Sequence, residues 1–283
     1  MKTTISQKAE ILTEALPYIQ KYNKQTLVIK YGGNAMINEG LKQAVMKDIV
    51  LLAQIGIKVV LVHGGGPEID GVLNKMNIDS YFIKGLRQTD EQTMEVVQMV
   101  LAGKVNKDLV NLIGNSGGKA IGLSGIDGQM IEAKMLDENL GYVGDIVKVN
   151  TQAITDLLDK GYIPVISTIG FDKSNRVYNI NADTVASKIA GELKACSMIS
   201  MTDTRGILKD QKDENSLITE LSIAEANQLI KKGVISGGMI PKVNCCIDAI
   251  RNGVKRVFII DGRVYHSIII EMLSDEGIGT MFY

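Results

Sequence analysis

The sequence predicts an α/β protein built on a mainly parallel sheet. Three observations carry this. Within the first 80 residues, a short apolar run, a glycine-rich turn and a helical pattern follow one another twice. Alternation of this kind marks strands wound in parallel with helices on their faces. The same style resumes in the second half, and no Pro-, Gly- or Ser-rich linker separates the halves. Two lobes sharing one continuous sheet therefore fit better than two separate domains, with a division near residue 175.

In chain order, residues 8–21 place Ile11, Leu12, Ala15, Leu16 and Ile19 on one helical face, with Pro17 interrupting the pattern. This segment is either a docking arm for another subunit or a helix packed on its own domain. Leu27, Val28 and Ile29 open a buried strand that runs through Lys30 and Tyr31 to Gly32-Gly33. Residues 39–55 read as a helix stopped by Gly56, and Lys58–Val62 as the second strand. That strand enters His63-Gly64-Gly65-Gly66-Pro67, and residues 68–76 look helical. A longer helix is predicted over 90–113, a third strand over 119–123, and a β-hairpin over 129–150. A short helix over 151–160 and a strand over 162–167 complete the first half.

Beyond it, Arg176–Ile180 leads into Asn181-Ala182-Asp183 and a helix over 184–191. Ala195–Met201 reads as a strand ending at Thr202-Asp203-Thr204-Arg205-Gly206, and 210–215 as an exposed loop. Helices over 223–232, 239–252 and 264–273 enclose a strand at Arg256–Ile260, and the ending GIGTMFY reads as a closing strand.

Composition narrows the function. Net charge is −1, which gives no nucleic-acid footprint. No run of about 18 apolar residues exists, so no membrane span is expected. The start MKTTISQKAE lacks an apolar signal core, and two of the three cysteines are adjacent, Cys245 and Cys246. A reducing cytoplasm is expected.

Neither glycine-rich turn is a Walker A loop or a GxGxxG fingerprint, and Gly114–Ala120 has the wrong spacing for a Walker A loop. A plain dinucleotide dehydrogenase is disfavoured. Three glycines before a helix still suit an anion, because backbone N–H groups and the helix dipole favour negative charge there. Close packing of helix on strand is the other reading. The two histidines, His63 and His266, form no HxxxH motif, and no CxxC, carboxylate cluster or GxSxG motif is present. No metal site is expected.

What remains at strand and helix ends is cations. Lys30 closes a strand. Lys242 follows SGGMIP near a helix start, where a cation opposes the macrodipole unless an anion intervenes. Asp183 is either a helix-start acid or a carboxylate holding two lysines. Arg87 precedes a helix capped at Thr89 or Asp90, and could clamp a carboxylate or lie on the surface. Lysines and amide groups without a strong base suit phosphoryl transfer to an already ionised acceptor.

The segments VIKYGGNAM, LVHGGGPEID, GLRQTD, YNINAD and SGGMIPK, in this order and spacing, resemble the amino acid kinase family over essentially the whole chain. GLRQTD with YNINAD resembles the members acting on N-acetyl-L-glutamate rather than carbamate, UMP or aspartate. The resemblance implies a three-layer αβα sandwich around a mainly parallel central sheet. It places acyl amino acid binding and dimer contacts in residues 26–175 and ATP binding in 176–283. It implies ATP-dependent phosphorylation of the γ-carboxylate of N-acetyl-L-glutamate in arginine biosynthesis, with Mg²⁺ carried by ATP and no tightly bound cofactor.

By motif position, Lys30 and Lys242 would neutralise the moving phosphoryl group and Asp183 would orient both. Gly32, Gly33 and Gly65 would offer backbone N–H groups to it. Gly65 and Gly66 would border the acceptor, and Arg87 and Asn179 would hold its α-carboxylate. Thr202, Asp203, Gly206 and Ile207 would line the nucleotide site.

Residues 1–25 resemble the arm of hexameric, arginine-inhibited members, a trimer of dimers. Tyr18, His266, Glu276 and Gly279 match positions near their inhibitor arginine. Some members also bind a PII-type signalling protein. A non-catalytic arginine sensor or partner-docking protein on the same fold is the alternative of another class, and the intact lysine pair argues against it.

Overall fold

The computed structural model describes residues 4–210 and 212–283. Its centre is an eight-stranded sheet. In chain order the strands are β1 (Thr26–Tyr31), β2 (Lys58–His63), β3 (Ala120–Ser124), β4 (Ile163–Ser167), β5 (Ser197–Thr202), β6 (Glu220–Leu221), β7 (Arg256–Asp261) and β8 (Thr280–Phe282). They lie in the order β6-β8-β7-β5-β1-β2-β4-β3. The pairings from β7 across to β3 are parallel, and β8 runs antiparallel to β7 with β6 parallel to β8.

β1 is inside the sheet because its apolar run can be buried on both faces, as a parallel strand requires. Leu27, Ile29 and Tyr31 join one apolar cluster, while Val28 joins the other. The first cluster is completed by helices Glu39–Gln54, Glu91–Gln98, Asn106–Asn115 and Ser267–Leu273. The second is completed by Gln152–Asp159, Ala182–Glu192 and Met239–Arg251. Two apolar clusters on the two faces of one sheet make a three-layer sandwich, as expected.

The chain leaves β1 for β2 on one side and later returns as β5 on the other. Their carboxyl ends open a crevice there, which is the ligand site of open α/β sheets. Register sets what meets in it: Lys30 stands beside Ser200 on β5, and Tyr31 beside His63 on β2.

The structure refines some predicted elements and adds others that the sequence pattern did not announce. Pro17 lies in the first turn of a second helix, so the N-terminal segment is Ile5–Glu14 followed by Leu16–Tyr22. The predicted 90–113 helix is interrupted by a π-helical stretch at Met99–Val105. The hairpin over 129–150 is present as Ile131–Met135 with Gly144–Val149, and belongs to a four-stranded sheet with Ile169–Phe171 and Val177–Asn179. Two further hairpins pair Phe82–Ile83 with Leu86–Arg87 and Ile207–Leu208 with Leu217–Ile218. Their strands are too short to show a period.

Candidate active site

The crevice is organised by one carboxylate between two ammonium groups. Asn181 caps helix Ala182–Glu192, accepting from the Asp183 and Thr184 amides at 2.9 and 3.3 Å. Asp183 is thus a first-turn acid rather than the cap. Its Oδ1 lies 3.3 Å from Lys30 Nζ and accepts from Ser200 Oγ at 3.0 Å. Its Oδ2 accepts from Lys242 Nζ at 2.8 Å. Lys30 and Asp183 are each only 7% exposed, so water screens this cluster weakly.

The charge states follow from these contacts. Burial alone would raise the Asp183 pKa, but the ammonium groups of Lys30 and Lys242, with bonds from Lys242 and Ser200, outweigh it and hold it at about 2. Burial pulls the Lys30 pKa down while Asp183 supports the charged form. Lys242 is raised, its desolvation being overcome by Asp183. Asp183 is also the anion that removes the conflict between Lys242 and its helix dipole. The helix starts at Met239, so Pro241 is its third residue, among the positions whose N–H groups need no helical partner.

On one side of this cluster is a cavity of about 470 Å³ lined by Thr202, Gly206, Ile207, Ile235, Gly238 and Lys242. Three of the four residues expected at the nucleotide are therefore here. Asp203, between the lining residues Thr202 and Thr204, has its carboxylate beside Gly33, whose φ is +72°. A Cβ on Gly33 would come within 2.7 Å of Asp203 Oδ1. Gly32 stands against the Lys30 ammonium end, where an added Cβ would lie 3.4 Å from Nζ.

A second cavity, of about 180 Å³, is lined by Gly65, Gly66, Arg87, Leu101, Asn179 and, next to Asp183, Ala182 among others. Two helices, Gly66–Lys75 and Ala182–Glu192, begin at this cavity. Their N-termini favour a negatively charged occupant. The Arg87 guanidinium donates to Asp70 at 2.6 Å, to Ser80, and to the Gly66 carbonyl at 3.3 Å, and sits 4.6 Å from the Phe82 ring centre. Asn179 Nδ2 donates to Thr89 Oγ1 at 3.3 Å. Pattern reading missed Ser200 and Leu101. Ser200 becomes visible only through strand register, and Leu101 only through the π-helical stretch.

The residues expected at an effector divide. Tyr18, Glu276 and Gly279 line a separate cavity of about 550 Å³, together with Glu271, Asp275 and Arg256. Tyr18 donates to Asp275 across it. His266 does not join them, and its Nδ1 lies 2.6 Å from Asp48 Oδ1. Among the described residues, no group of three or more His, Cys, Asp and Glu side chains is arranged to hold a metal ion.

Comparison with known proteins agrees with this geometry. The chain is 57% identical over 278 residues to the acetylglutamate kinase of Brachyspira hyodysenteriae, covering 98% of this chain and 96% of that one. The acetylglutamate kinase of Clostridioides difficile is 55% identical over 276 residues, with 97% and 96% covered. Among solved structures, N-acetylglutamate synthase from Neisseria gonorrhoeae, complexed with coenzyme A and N-acetyl-glutamate, superposes with a TM-score of 0.85 at 27% identity. That match covers 97% of this chain but 63% of the synthase. Carbamate kinase from Giardia lamblia, at 17% identity and a TM-score of 0.64 over 91% of this chain, shares the fold. The sequence model of the amino acid kinase family matches residues 25–261. With two lysines and an aspartate at the crevice of its characteristic sheet, the chain belongs to the amino acid kinase family.

Proposed function

We propose that this enzyme transfers the γ-phosphoryl group of ATP to the γ-carboxylate of N-acetyl-L-glutamate, a step of arginine biosynthesis. The observation that carries the reading is the Lys30–Asp183–Lys242 cluster, with Lys242 lining one cavity and Ala182, next to Asp183, lining another. The larger cavity suits ATP, which brings Mg²⁺ with its phosphates. The smaller one suits the acyl amino acid, with Arg87 and Asn179 on its α-carboxylate.

The chemistry asked of the protein is positioning and charge neutralisation. The acceptor carboxylate is already ionised, so no proton has to be removed. As the phosphoryl group moves between oxygens, Lys30 and Lys242 offset its charge while Asp183 keeps both ammonium groups aimed. The N–H groups of Gly33 and Gly65 donate to its oxygens. His63 is not needed as a base, and burial, which chiefly sets its pKa at about 4, keeps it neutral.

Trapping the acyl phosphate with hydroxylamine tests the reaction. The expected result is hydroxamate that depends on both ATP and N-acetyl-L-glutamate. Hydroxamate from another acceptor, or none from this one, would overturn the assignment.

Arginine as a feedback inhibitor is part of the proposal. The cavity of Tyr18, Glu276 and Gly279 also carries Glu220, Glu271 and Asp275 beside Lys21 and Arg256, so its carboxylates outnumber its cations, which suits a guanidinium ligand. A rate that stays flat as arginine is titrated would remove this part and leave the kinase reading intact.

A further inference from the structure

The Gly64–Gly66 turn borders the acceptor cavity but has no side chains with which to be held. One anchor is backbone: the Gly64 amide donates to the Tyr31 carbonyl at 3.0 Å. The other is His63, the fully buried last residue of β2. Its Nδ1 lies 2.8 Å from the Gly64 carbonyl, and its Nε2 lies 3.1 Å from Asn106 Nδ2.

These two contacts fix the tautomer. A carbonyl oxygen only accepts, so Nδ1 carries the proton. Asn106 is oriented by its other partners: its Oδ1 accepts from Lys107 Nζ at 3.0 Å, and its Nδ2 faces the Leu123 and Val165 carbonyls at 3.2 and 2.9 Å. The two Nδ2 hydrogens are shared among these three acceptors, and because an amide nitrogen only donates, Nε2 is the accepting nitrogen. Burial disfavours protonation of the ring most strongly, the Gly64 carbonyl opposes it, and the Lys107 ammonium adds a smaller disfavouring effect.

The same helical segment grips the turn a second time. Asn106 directly follows the π-helical stretch Met99–Val105, whose Leu101 and Val105 press on Gly65. A Cβ on Gly65 would lie 2.6 Å from Leu101 Cδ2 and 3.3 Å from Val105 Cγ2. Each residue advances an α-helix by about 100°, so the extra residue of a π turn decides which side chains face the sheet.

We infer that His63 is a positioning residue for phosphoryl transfer: as the neutral Nδ1–H tautomer held by Asn106, it fixes the Gly64 carbonyl and thereby aims the amide groups of the following glycines at the moving phosphoryl group. This rests on the phosphotransfer reading above. It requires neither proton transfer nor substrate contact by the ring.

Two measurements test it. With only two histidines in the chain, long-range ¹H–¹⁵N spectra resolve both rings, and the signal lost in His63→Asn identifies His63. The expected ring is protonated at Nδ1 and bare at Nε2 throughout the range where a free imidazole titrates, about pH 5 to 8. A proton on Nε2 in the wild type would overturn the inference. In kinetics, Asn106→Leu should lower kcat roughly 10- to 100-fold, the scale of an ångström-sized misplacement, with KM for ATP unchanged. His63→Asn places an amide near Nδ1 and keeps the donor to Gly64, whereas His63→Gln keeps only the Asn106 side. Higher kcat in His63→Asn than in His63→Gln supports the inference even where Asn106→Leu does not fold, and equal or reversed values overturn it. A wild type that makes no acyl phosphate would overturn the functional reading, while the ring's tautomer, read separately, would still stand.

Discussion

Asp183 and Lys242 are 59 residues apart in sequence, yet their side chains meet at 2.8 Å. They do so because two helices on the same face of the sheet both begin at the crevice beside β1. The contact gives Lys242 a counter-charge in the resting protein and a fixed direction. In the proposed reaction the phosphoryl group would meet an ammonium already placed, leaving little reorganisation for the reaction itself.

Lys242→Ala should therefore lower kcat steeply. Loss of one charge-stabilising contact in phosphoryl transfer costs about 10³-fold or more. Asp183 keeps Lys30 as a partner in this variant, so no buried charge is left alone and folding should persist. The check is kcat by hydroxamate trapping beside circular dichroism of the same sample. A rate near the wild type would remove Lys242 from the mechanism.

Asp183→Asn is the opposite case, because it strands two cations. Removing one partner of a buried ion pair destabilises by about 3–5 kcal/mol, and urea unfolding at neutral pH should show a loss of that order. The sign with pH is set by the depressed pKa of Asp183, about 2 against an ordinary 3.8. A carboxylate with a lowered folded pKa stabilises fully above its unfolded value, and the benefit disappears as pH falls through the folded value. The stability gap between wild type and variant should therefore be constant well above about pH 4 and narrow as pH falls toward 2. A gap that does not narrow at the acid end would mean that Asp183 stabilises by some means other than its charge.

Much of this was legible in the sequence, for physical reasons that differ by residue. β1 announced itself because a parallel strand buried on both faces must be continuously apolar. Lys30 was placed at its end by Gly32-Gly33, and Pro17 announced the break in the N-terminal helix. The Lys30–Ser200 neighbourhood was not legible, because register between strands far apart in sequence leaves no local trace. The π-helical stretch was invisible for a related reason: its apolar residues, Val100, Leu101 and Val105, satisfy an ordinary helical pattern to within one residue. Asp203 read as a nucleotide-lining residue from its motif, yet its side chain turns to Gly33.

That last contact predicts the behaviour of Gly33→Ala. The residue has φ of +72°, and its new Cβ would lie 2.7 Å from the Asp203 carboxylate. Alanine at a positive φ destabilises by about 1 kcal/mol or more before any clash. The turn must shift, and with it the amide proposed to meet the phosphoryl group. A fall in kcat with a small drop in melting temperature is expected. Unchanged kcat in the folded variant would show that this amide is not used.

Arg87→Lys should act on substrate binding rather than on the chemical step. Arg87 is held by Asp70, Ser80 and the Gly66 carbonyl, so its planar guanidinium enters the acceptor cavity in a fixed attitude. Lysine keeps the charge but cannot present paired N–H groups to a carboxylate. Loss of one charged hydrogen bond, about 1.5–3 kcal/mol, should raise KM for N-acetyl-L-glutamate at least about tenfold while kcat moves less. An unchanged KM would place the α-carboxylate elsewhere in the cavity.

The N-terminal helix is open to a test of assembly. Ile5 is 89% exposed, Ile11 56% and Leu12 74%, on a helix whose start is fixed by the reciprocal Thr4–Gln7 cap. A solvent-facing apolar stripe on a well-capped helix is more costly than a polar one unless another surface covers it. We take the partner to be the same helix of a second copy, which would join dimers into a hexamer. Leu12→Glu leaves the helix intact, since glutamate is a good helix former, but puts a charge into that contact. On this reading light scattering should find a hexameric wild type and a dimeric Leu12→Glu variant, with the crevice and its basal kinase activity retained. A wild type that is already dimeric, or a variant with unchanged mass, would show that this helix does not hold the assembly together.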